Sequence, residues 1–391
     1  MKPKRGPFVD FFESYTRGLT ADEVRRLFTR DTRDAYKFFT RGNDANAFKH
    51  DPWFKRVFEQ AWLLFVAFTM RLSPARRALY AVALFFAASG LFSLFRGVPR
   101  GRIAAGAMTV IVPGVGLPEG SVSLVVAFAL MNLLVLLEVA DRLSLKNDLE
   151  IAREIQQAML PTGVYTAPAV EIAGVSRPAN TVGGDFYDII PLDERRVAIA
   201  VGDVAGKGSP AALLMALLLA MLRTLVDERL EPAALVTRLN SQVCRHTPGT
   251  RFITLLYAVY DAASGEVTYV NAGHMPPLVV HGDGSCVRLA DGGTALGMFD
   301  GSTYAAGRVT IQPDELLAVY SDGITEAESP AGVPFDEAGL ELALGRYRHD
   351  GLMSLGAAIV RAVERHTADT RLADDLTILL LRRTVPTALG V

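Results

Sequence analysis

Val197-Ala198-Ile199-Ala200-Val201-Gly202-Asp203-Val204-Ala205-Gly206-Lys207-Gly208-Ser209-Pro210 is the stretch on which the fold turns. Its first five residues are apolar, with β-branched side chains on alternate positions, which predicts a strand. Gly202-Asp203 then opens a glycine-rich turn. Ser209-Pro210 reads as an N-cap and N1 pair opening a helix over Ala211–Val226. That helix is apolar nearly all round, so it must be buried, and a sheet is the natural surface to bury it against.

Further β-like runs lie at Phe252 to Tyr260, Val267 to Val270, Leu316 to Tyr320 and Leu376 to Leu381. A second helical region is predicted from about Asp336 to Thr367. Ala263-Ser264-Gly265 and Gly282-Asp283-Gly284 are hairpin signals. Strands and helices do not alternate regularly, which points to an α+β layered domain with mostly antiparallel strands.

The 391 residues exceed what one domain needs. The net charge of −2 gives no electrostatic support for a nucleic-acid partner. Cys244 and Cys286 form neither a disulfide framework nor a metal cluster and read as two reduced thiols. The mean hydropathy of +0.25 is high, and the excess is local. No charge lies between Leu79 and Phe95, and from Ile103 to Leu137 the only one is Glu119. Segments 79–95 and 121–140 are therefore expected to span a membrane. Segment 103–118, broken by Pro113, Gly114 and Gly116, is a third candidate span, a re-entrant piece or a loop.

Residues 1–77 carry sixteen Lys/Arg against nine Asp/Glu and read as amphipathic helices. They suit an anionic membrane surface, or equally a small helical domain with solvated charges. The extreme N-terminus is polar and charged, unlike a cleavable leader. The basic N-terminal part belongs inside, and a cytoplasmic C-terminal domain then needs an even number of spans. Arg96, Arg100 and Arg102 argue against exporting the first connection. The organisation expected is thus a basic helical region (1–77), membrane segments (78–140), an amphipathic linker helix (141–161) and a catalytic domain (162–384). Leu143, Leu149, Ala152, Ile155 and Met159 make helix 138–159 a candidate homodimer seam or connector.

Four acidic turns stand out: Gly183 to Asp188, Gly202 to Gly208, Ser321-Asp322-Gly323 and Ala373 to Thr377. Taken singly, each Asp-Gly pair is an ordinary turn. Asp203 and Asp322 are expected to follow strands and Asp374 to precede one. Antiparallel pairing would bring such strand ends to one edge. Clustered carboxylates must take up protons or bind cations. An all-oxygen set without His or Cys favours a hard ion, Mg²⁺ or Mn²⁺. Two such ions can activate water and polarise a phosphoryl group.

The stretch from about Leu149 to Arg383 resembles the PPM-type serine/threonine phosphatase domain, of the bacterial kind represented by SpoIIE and RsbU. The residues that carry the likeness are Ala152 to Pro161, Arg177-Pro178-Ala179, Val182 to Asp188, Gly202 to Gly208, Asn271-Ala272-Gly273-His274 with Pro276-Pro277, Tyr320 to Ala327, and Asp374-Asp375-Leu376-Thr377. The resemblance implies an α-β-β-α sandwich with a binuclear Mn²⁺ or Mg²⁺ site on one edge. Asp185, Asp203, Asp322 and Asp374 would be catalytic metal ligands, joined by the Val204 carbonyl, with Asp375 and Asp188 as neighbours. The stretch before Asp185 would be a strand close to the helix that ends at Leu160. The implied substrate is a phosphorylated anti-sigma-factor antagonist. The apolar segments and the basic N-terminal part, for their part, point to a multi-pass inner-membrane protein with its catalytic domain in the cytoplasm. His274 reads as a structural hydrogen-bonding residue rather than a general acid. Lys207 reads either as a phosphate-attracting group beside a helix N-terminus or as a solvated loop lysine.

Overall fold

The computed structural model describes residues 65–66, 69–70, 72–96, 100–105, 108–113, 121–247, 251–368 and 372–384. It divides into two compact units, Met1–Leu143 and Ser144–Val391. Most of the basic segment 1–77 lies outside the described residues.

In the first unit, helix α1 (Pro74–Arg96) is followed by an antiparallel hairpin of β1 (Arg100–Ala105) and β2 (Met108–Pro113). The hairpin occupies most of segment 103–118, so that stretch does not continue as a third helical span. Thr109, Val110, Ile111 and Val112 favour strand, and Pro113 closes it. Helix α2 (Ser121–Met159) comes next, and its first part returns antiparallel to α1. Arg76, at the start of α1, bonds Glu138 at 3.2 Å and Asp141 at 2.7 Å. Both helices are long and apolar enough to cross a membrane, and Val125, Phe128, Leu136 and Phe85 are exposed along them. Expected span 121–140 and linker 141–161 are one continuous helix, because no breaker separates them.

The second unit is a four-layer sandwich. One sheet has five strands in the order β11 (Gly307–Thr310), β8 (Glu266–Ala272), β7 (Ile253–Asp261), β6 (Arg196–Val204), β5 (Phe186–Pro191). The other has six, β10 (Cys286–Arg288), β9 (Leu278–Val280), β12 (Leu316–Tyr320), β13 (Leu376–Arg383), β4 (Val170–Arg177), β3 (Val164–Ala167). All named pairings in both sheets are antiparallel. Helices α3 (Ser209–Val226) and α4 (Pro232–His246) cover the five-stranded sheet. After the short turn α5 (Asp322–Thr325), α6 (Asp336–Tyr347) and α7 (Leu352–His366) cover the six-stranded one.

The period of two along each strand explains the layering. In β6, Val197, Ile199 and Val201 face the other sheet, while Ala198 and Ala200 face α3 and α4. In β12, Leu317 and Val319 point between the sheets, and Leu316, Ala318 and Tyr320 point toward α6 and α7. Both faces are buried, so these strands read as unbroken apolar runs. Helix α3 is apolar enough to pass for a membrane span, yet Ala211, Met215, Leu218, Leu219 and Leu222 are fully buried in this core.

Several local expectations are corrected. The cap of α3 is Gly208 at φ 75°, ψ −155°, a conformation suited to glycine, and Ser209 is already helical. The region 336–367 is two helices, broken before Gly351. Helix α4 had not been anticipated, although Pro232 at its first turn and the spacing of Leu235, Val236, Leu239 and Val243 mark it. The stretch before Asp185 is irregular; the strand begins after it, at Phe186.

Candidate metal centre

Two antiparallel pairings bring the acidic turns together. In β5–β6, Phe186 faces Gly202, so Asp185, just before β5, stands beside Asp203 at the end of β6. In β12–β13, Tyr320 faces Ile378, so Asp322, just after β12, stands beside Asp374, just before β13. Ser321 N–H donates to the Thr377 carbonyl at 2.9 Å, and Thr377 N–H donates to Ser321 Oγ at 3.0 Å, locking the second pair of ends. Each sheet thus contributes two carboxylates to one rim.

The glycines of these turns permit close approach. A Cβ on Gly184 would stand 2.8 Å from the Val204 carbonyl oxygen and 3.0 Å from Asp203 Oδ1. A Cβ on Gly183 would meet Asp375 Oδ2 at 2.3 Å. The main chain of Gly184 therefore lies directly against Asp203 and Val204.

The carboxylates press on one another. Burial raises the Asp185 pKa well above the ordinary range, with Asp203 adding to the rise and the Ser321 hydroxyl opposing it. Asp203 is pushed up to about 6, first by burial and then by Asp322. Asp322 is raised by burial, Glu326 and Asp374. Asp185 Oδ2 is buried without a hydrogen-bond partner.

No three His, Cys, Asp or Glu side chains among the described residues stand in ready coordinating positions. The donor set nevertheless fits a hard cation: carboxylates that repel one another, an orphaned buried oxygen, and a main-chain carbonyl at a glycine-lined approach.

Asp375 has a different job from Asp374. Its Oδ1 accepts from Ala179 N–H and its Oδ2 from Gly184 N–H, both at 2.7 Å. Both oxygens are thus engaged by the loop that carries Asp185. Asp374 is half-exposed and holds Lys207 Nζ at 2.8 Å; the ammonium also donates to the Ala373 carbonyl at 2.6 Å. Lys207, exposed beside the start of α3, is here the counter-ion of Asp374, and that hydrogen bond raises its pKa. Beside Asp374 a cavity of about 490 Å³ is lined by Glu326, Glu328, Ser329 and Leu372 among others.

Residues 193–384 match the family model described as Stage II sporulation protein E (SpoIIE). That part of the chain is similar to the SpoIIE family. Among curated relatives, phosphoserine phosphatase RsbU of Bacillus subtilis (strain 168) is 29% identical over 242 residues, covering 62% of this chain and 71% of that protein. Protein IcfG of Synechocystis sp. is 32% identical over 210 residues, covering 47% of this chain and only 33% of that protein. The fold is that of the PP2C phosphatases. The SiaA-PP2C domain of Pseudomonas aeruginosa aligns with a TM-score of 0.54 at 22% identity, over 62% of this chain and 98% of that one. The PP2C domain of Bacillus subtilis SpoIIE aligns at 0.50 and 18% identity, over 56% and 64%.

Three further side chains fix the surroundings of the rim, and of these only Gln156 was not singled out from the sequence. Gln156 of α2 is buried, and its amide grips the main chain of Gly183 twice. Its Nε2 donates to the Gly183 carbonyl at 2.8 Å, and its Oε1 accepts from Gly183 N–H at 3.1 Å. The signal was there: Gln156 is the polar member of the inward phase Leu149, Ala152, Gln156, Met159. Second, Asp188 is a buried partner of Arg223, at 2.8 Å from Nε, not a member of the rim. Arg223 Nη2 also donates to the Met159 carbonyl at 2.7 Å, satisfying the end of α2. Third, His274 is buried away from solvent; its Nδ1 lies 2.9 Å from Thr254 Oγ1, and burial pulls its pKa down to about 4.

Proposed function

We propose that this chain is a membrane-held, Mn²⁺- or Mg²⁺-dependent phosphoserine/phosphothreonine protein phosphatase. The observation that carries the proposal is the meeting of four carboxylates from four separate strand ends, three of which, Asp185, Asp203 and Asp322, have pKa values forced upward by burial and by neighbouring carboxylates. Such a rim is a cation site by its electrostatics. Asp185, Asp203, Asp322, Asp374 and the Val204 carbonyl are the groups assigned to hold two ions. Bound there, the ions supply an activated water nucleophile and offset the charge of the phosphoryl oxygens.

The protein does the rest by placement. Gln156 and Asp375 fix the Gly183-Gly184-Asp185 loop from two sides. Lys207, the ammonium beside Asp374, would attract an incoming phosphate. The cavity at Glu326, Glu328 and Ser329 offers room for the polypeptide flanking the phosphorylated residue.

The substrate we assign is a phosphorylated regulatory protein of the anti-sigma-factor antagonist type. The likeness to RsbU and to phosphoserine phosphatase RsbP of the same organism supports it. The domain limits 1–77, 78–140, 141–161 and 162–384 belong to the same proposal. So does a two-span topology: Arg76 on Glu138 and Asp141 puts the start of α1 and the exit of α2 at one end of the pair. The catalytic domain and the basic N-terminal segment then share the cytoplasmic side of the inner membrane, with the β1–β2 hairpin opposite. A homodimer through helix 138–159 belongs to the same proposal, supported by the exposed Leu143 and Ile155 of the expected seam.

The test is hydrolysis of para-nitrophenyl phosphate and of candidate phosphoproteins by the full chain in detergent with Mn²⁺. Asp203→Ala and Asp374→Ala should each abolish turnover while the fold persists. Wild-type rates in either variant would sink the site assignment.

A further inference from the structure

The connection from β8 to β9 crosses from the five-stranded to the six-stranded sheet, and His274 lies on it. The crossing is tightly held. His274 N–H donates to Asn271 Oδ1 at 2.7 Å, and Asn271 Nδ2 donates to the His274 carbonyl at 3.0 Å. Gly273, at φ 74°, packs where a Cβ would stand 2.8 Å from Ala295 N. The imidazole is thereby directed into the protein, buried and between the two sheet ends that bear the carboxylates.

On one side of the ring, Nδ1 meets Thr254 Oγ1 at 2.9 Å. Thr254 is the ladder partner of Asp203, and Asp203 N–H donates to the same hydroxyl at 3.3 Å. The threonine hydrogen has two acceptors, Nδ1 at 2.9 Å and the Asp203 carbonyl at 3.5 Å. The shorter contact assigns it to Nδ1, which leaves the proton of a neutral ring on Nε2. On the other side, Nε2 is buried without a hydrogen bond of ordinary geometry, and the Tyr320 main chain acts on the ring. Tyr320 ends β12, two residues before Asp322.

We propose that His274 is a positioning residue for the metal rim: a strut from Thr254 to the Tyr320 main chain that sets the spacing between Asp203 on one sheet and Asp322 on the other. It touches neither substrate nor ion. It acts through Thr254, as an outer partner acts on a ligand. The strut rests on the metal-rim assignment above but not on hydrolysis, so the two can fail separately.

The test is Mn²⁺ binding to the full chain in detergent, by titration calorimetry. Para-nitrophenyl phosphate turnover is measured alongside. His274→Ala and Thr254→Val should each weaken Mn²⁺ binding about ten-fold, the scale on which such outer partners act. Thr254→Ser keeps the hydroxyl and should bind nearly as the wild type does; His274→Asn keeps an acceptor for that hydroxyl but loses the reach to the Tyr320 main chain, and should bind as weakly as His274→Ala. The double variant His274→Ala with Thr254→Val should be no worse than either single one, because both break one link.

Wild-type Mn²⁺ affinity in His274→Ala, whatever its melting temperature, overturns the proposal. Should that variant fail to fold, wild-type affinity in Thr254→Val overturns it equally. Additive losses in the double variant, or a Thr254→Ser as weak as Thr254→Val, do the same. A wild-type chain that binds Mn²⁺ without hydrolysing para-nitrophenyl phosphate refutes the phosphatase reading alone. One that binds no Mn²⁺ refutes both.

Discussion

Asp374 and Asp375 are adjacent and chemically identical, yet replacing each by Asn should have opposite consequences. Asp375 gives one oxygen to Ala179 N–H and the other to Gly184 N–H. In Asp375→Asn one of these amides would face an NH₂ group instead of an acceptor. Losing a charge-assisted bond and leaving a buried N–H unpaired together cost roughly 2–4 kcal/mol. For a domain of this size each kcal/mol lowers the melting temperature by about 2–4 °C, so a fall on the order of 10 °C is expected. Activity should fall with it, because Gly184 precedes Asp185. Asp374 is half-exposed and its ion pair with Lys207 is exposed too, so Asp374→Asn should cost no more than about 1 kcal/mol. It should nevertheless abolish Mn²⁺-dependent turnover. The assays are a thermal melt of the C-terminal domain within the full chain and para-nitrophenyl phosphate hydrolysis across a Mn²⁺ titration. If Asp375→Asn melts within a degree or two of the wild type while losing activity, the division of labour between the two aspartates is wrong.

Two other outcomes follow from the same rim. Asp203 titrates near 6 in the folded, metal-free protein against an ordinary 3.8. An acid whose folded pKa is raised favours the fold below its unfolded pKa and withdraws that support as pH rises through the folded one. Metal-free protein should therefore lose on the order of 2 kcal/mol from this group between about pH 4 and pH 6.5, and saturating Mn²⁺ at pH 7 should restore it. A metal-free melting temperature that is flat or rises across that window would contradict the mutual repulsion. Separately, Gln156→Ala removes both bonds to Gly183 from the linker helix. It should lower turnover roughly ten-fold with the domain still folded, since the Asp185 loop loses one of its two anchors. Unchanged turnover in Gln156→Ala would show that α2 does not help set the site.

The layered class of the C-terminal domain was legible from the sequence because burial on two faces leaves unbroken apolar runs. The two hairpins at Ala263-Ser264-Gly265 and Gly282-Asp283-Gly284 are likewise where expected, joining β7 to β8 and β9 to β10. Other features were less readable. Segment 103–118 is as apolar as a span, and hydropathy does not separate a helix from the strands β1 and β2. Helix α4 has a mixed, amphipathic composition beside the very apolar α3 and was overlooked for that contrast. The irregular chain before Asp185 is held by side chains from α2 and from the segment before β13, more than 25 and 190 residues away in sequence. No local pattern reports on such partners.

The sequence by itself determined the elements and the residue types: apolar strands of period two, a buried helix after a glycine turn, and aspartates at strand ends. Those follow from local geometry and burial, which a linear pattern records. Only the tertiary structure decided which partners each aspartate meets. Asp374 and Asp375 differ solely in which neighbours their oxygens meet. Asp188, expected only as a neighbour of the rim, is instead held by Arg223, 35 residues on, from α3. The order of strands brought Asp185, Asp203, Asp322 and Asp374 to one edge, and electrostatic repulsion acts only at the distances that order creates.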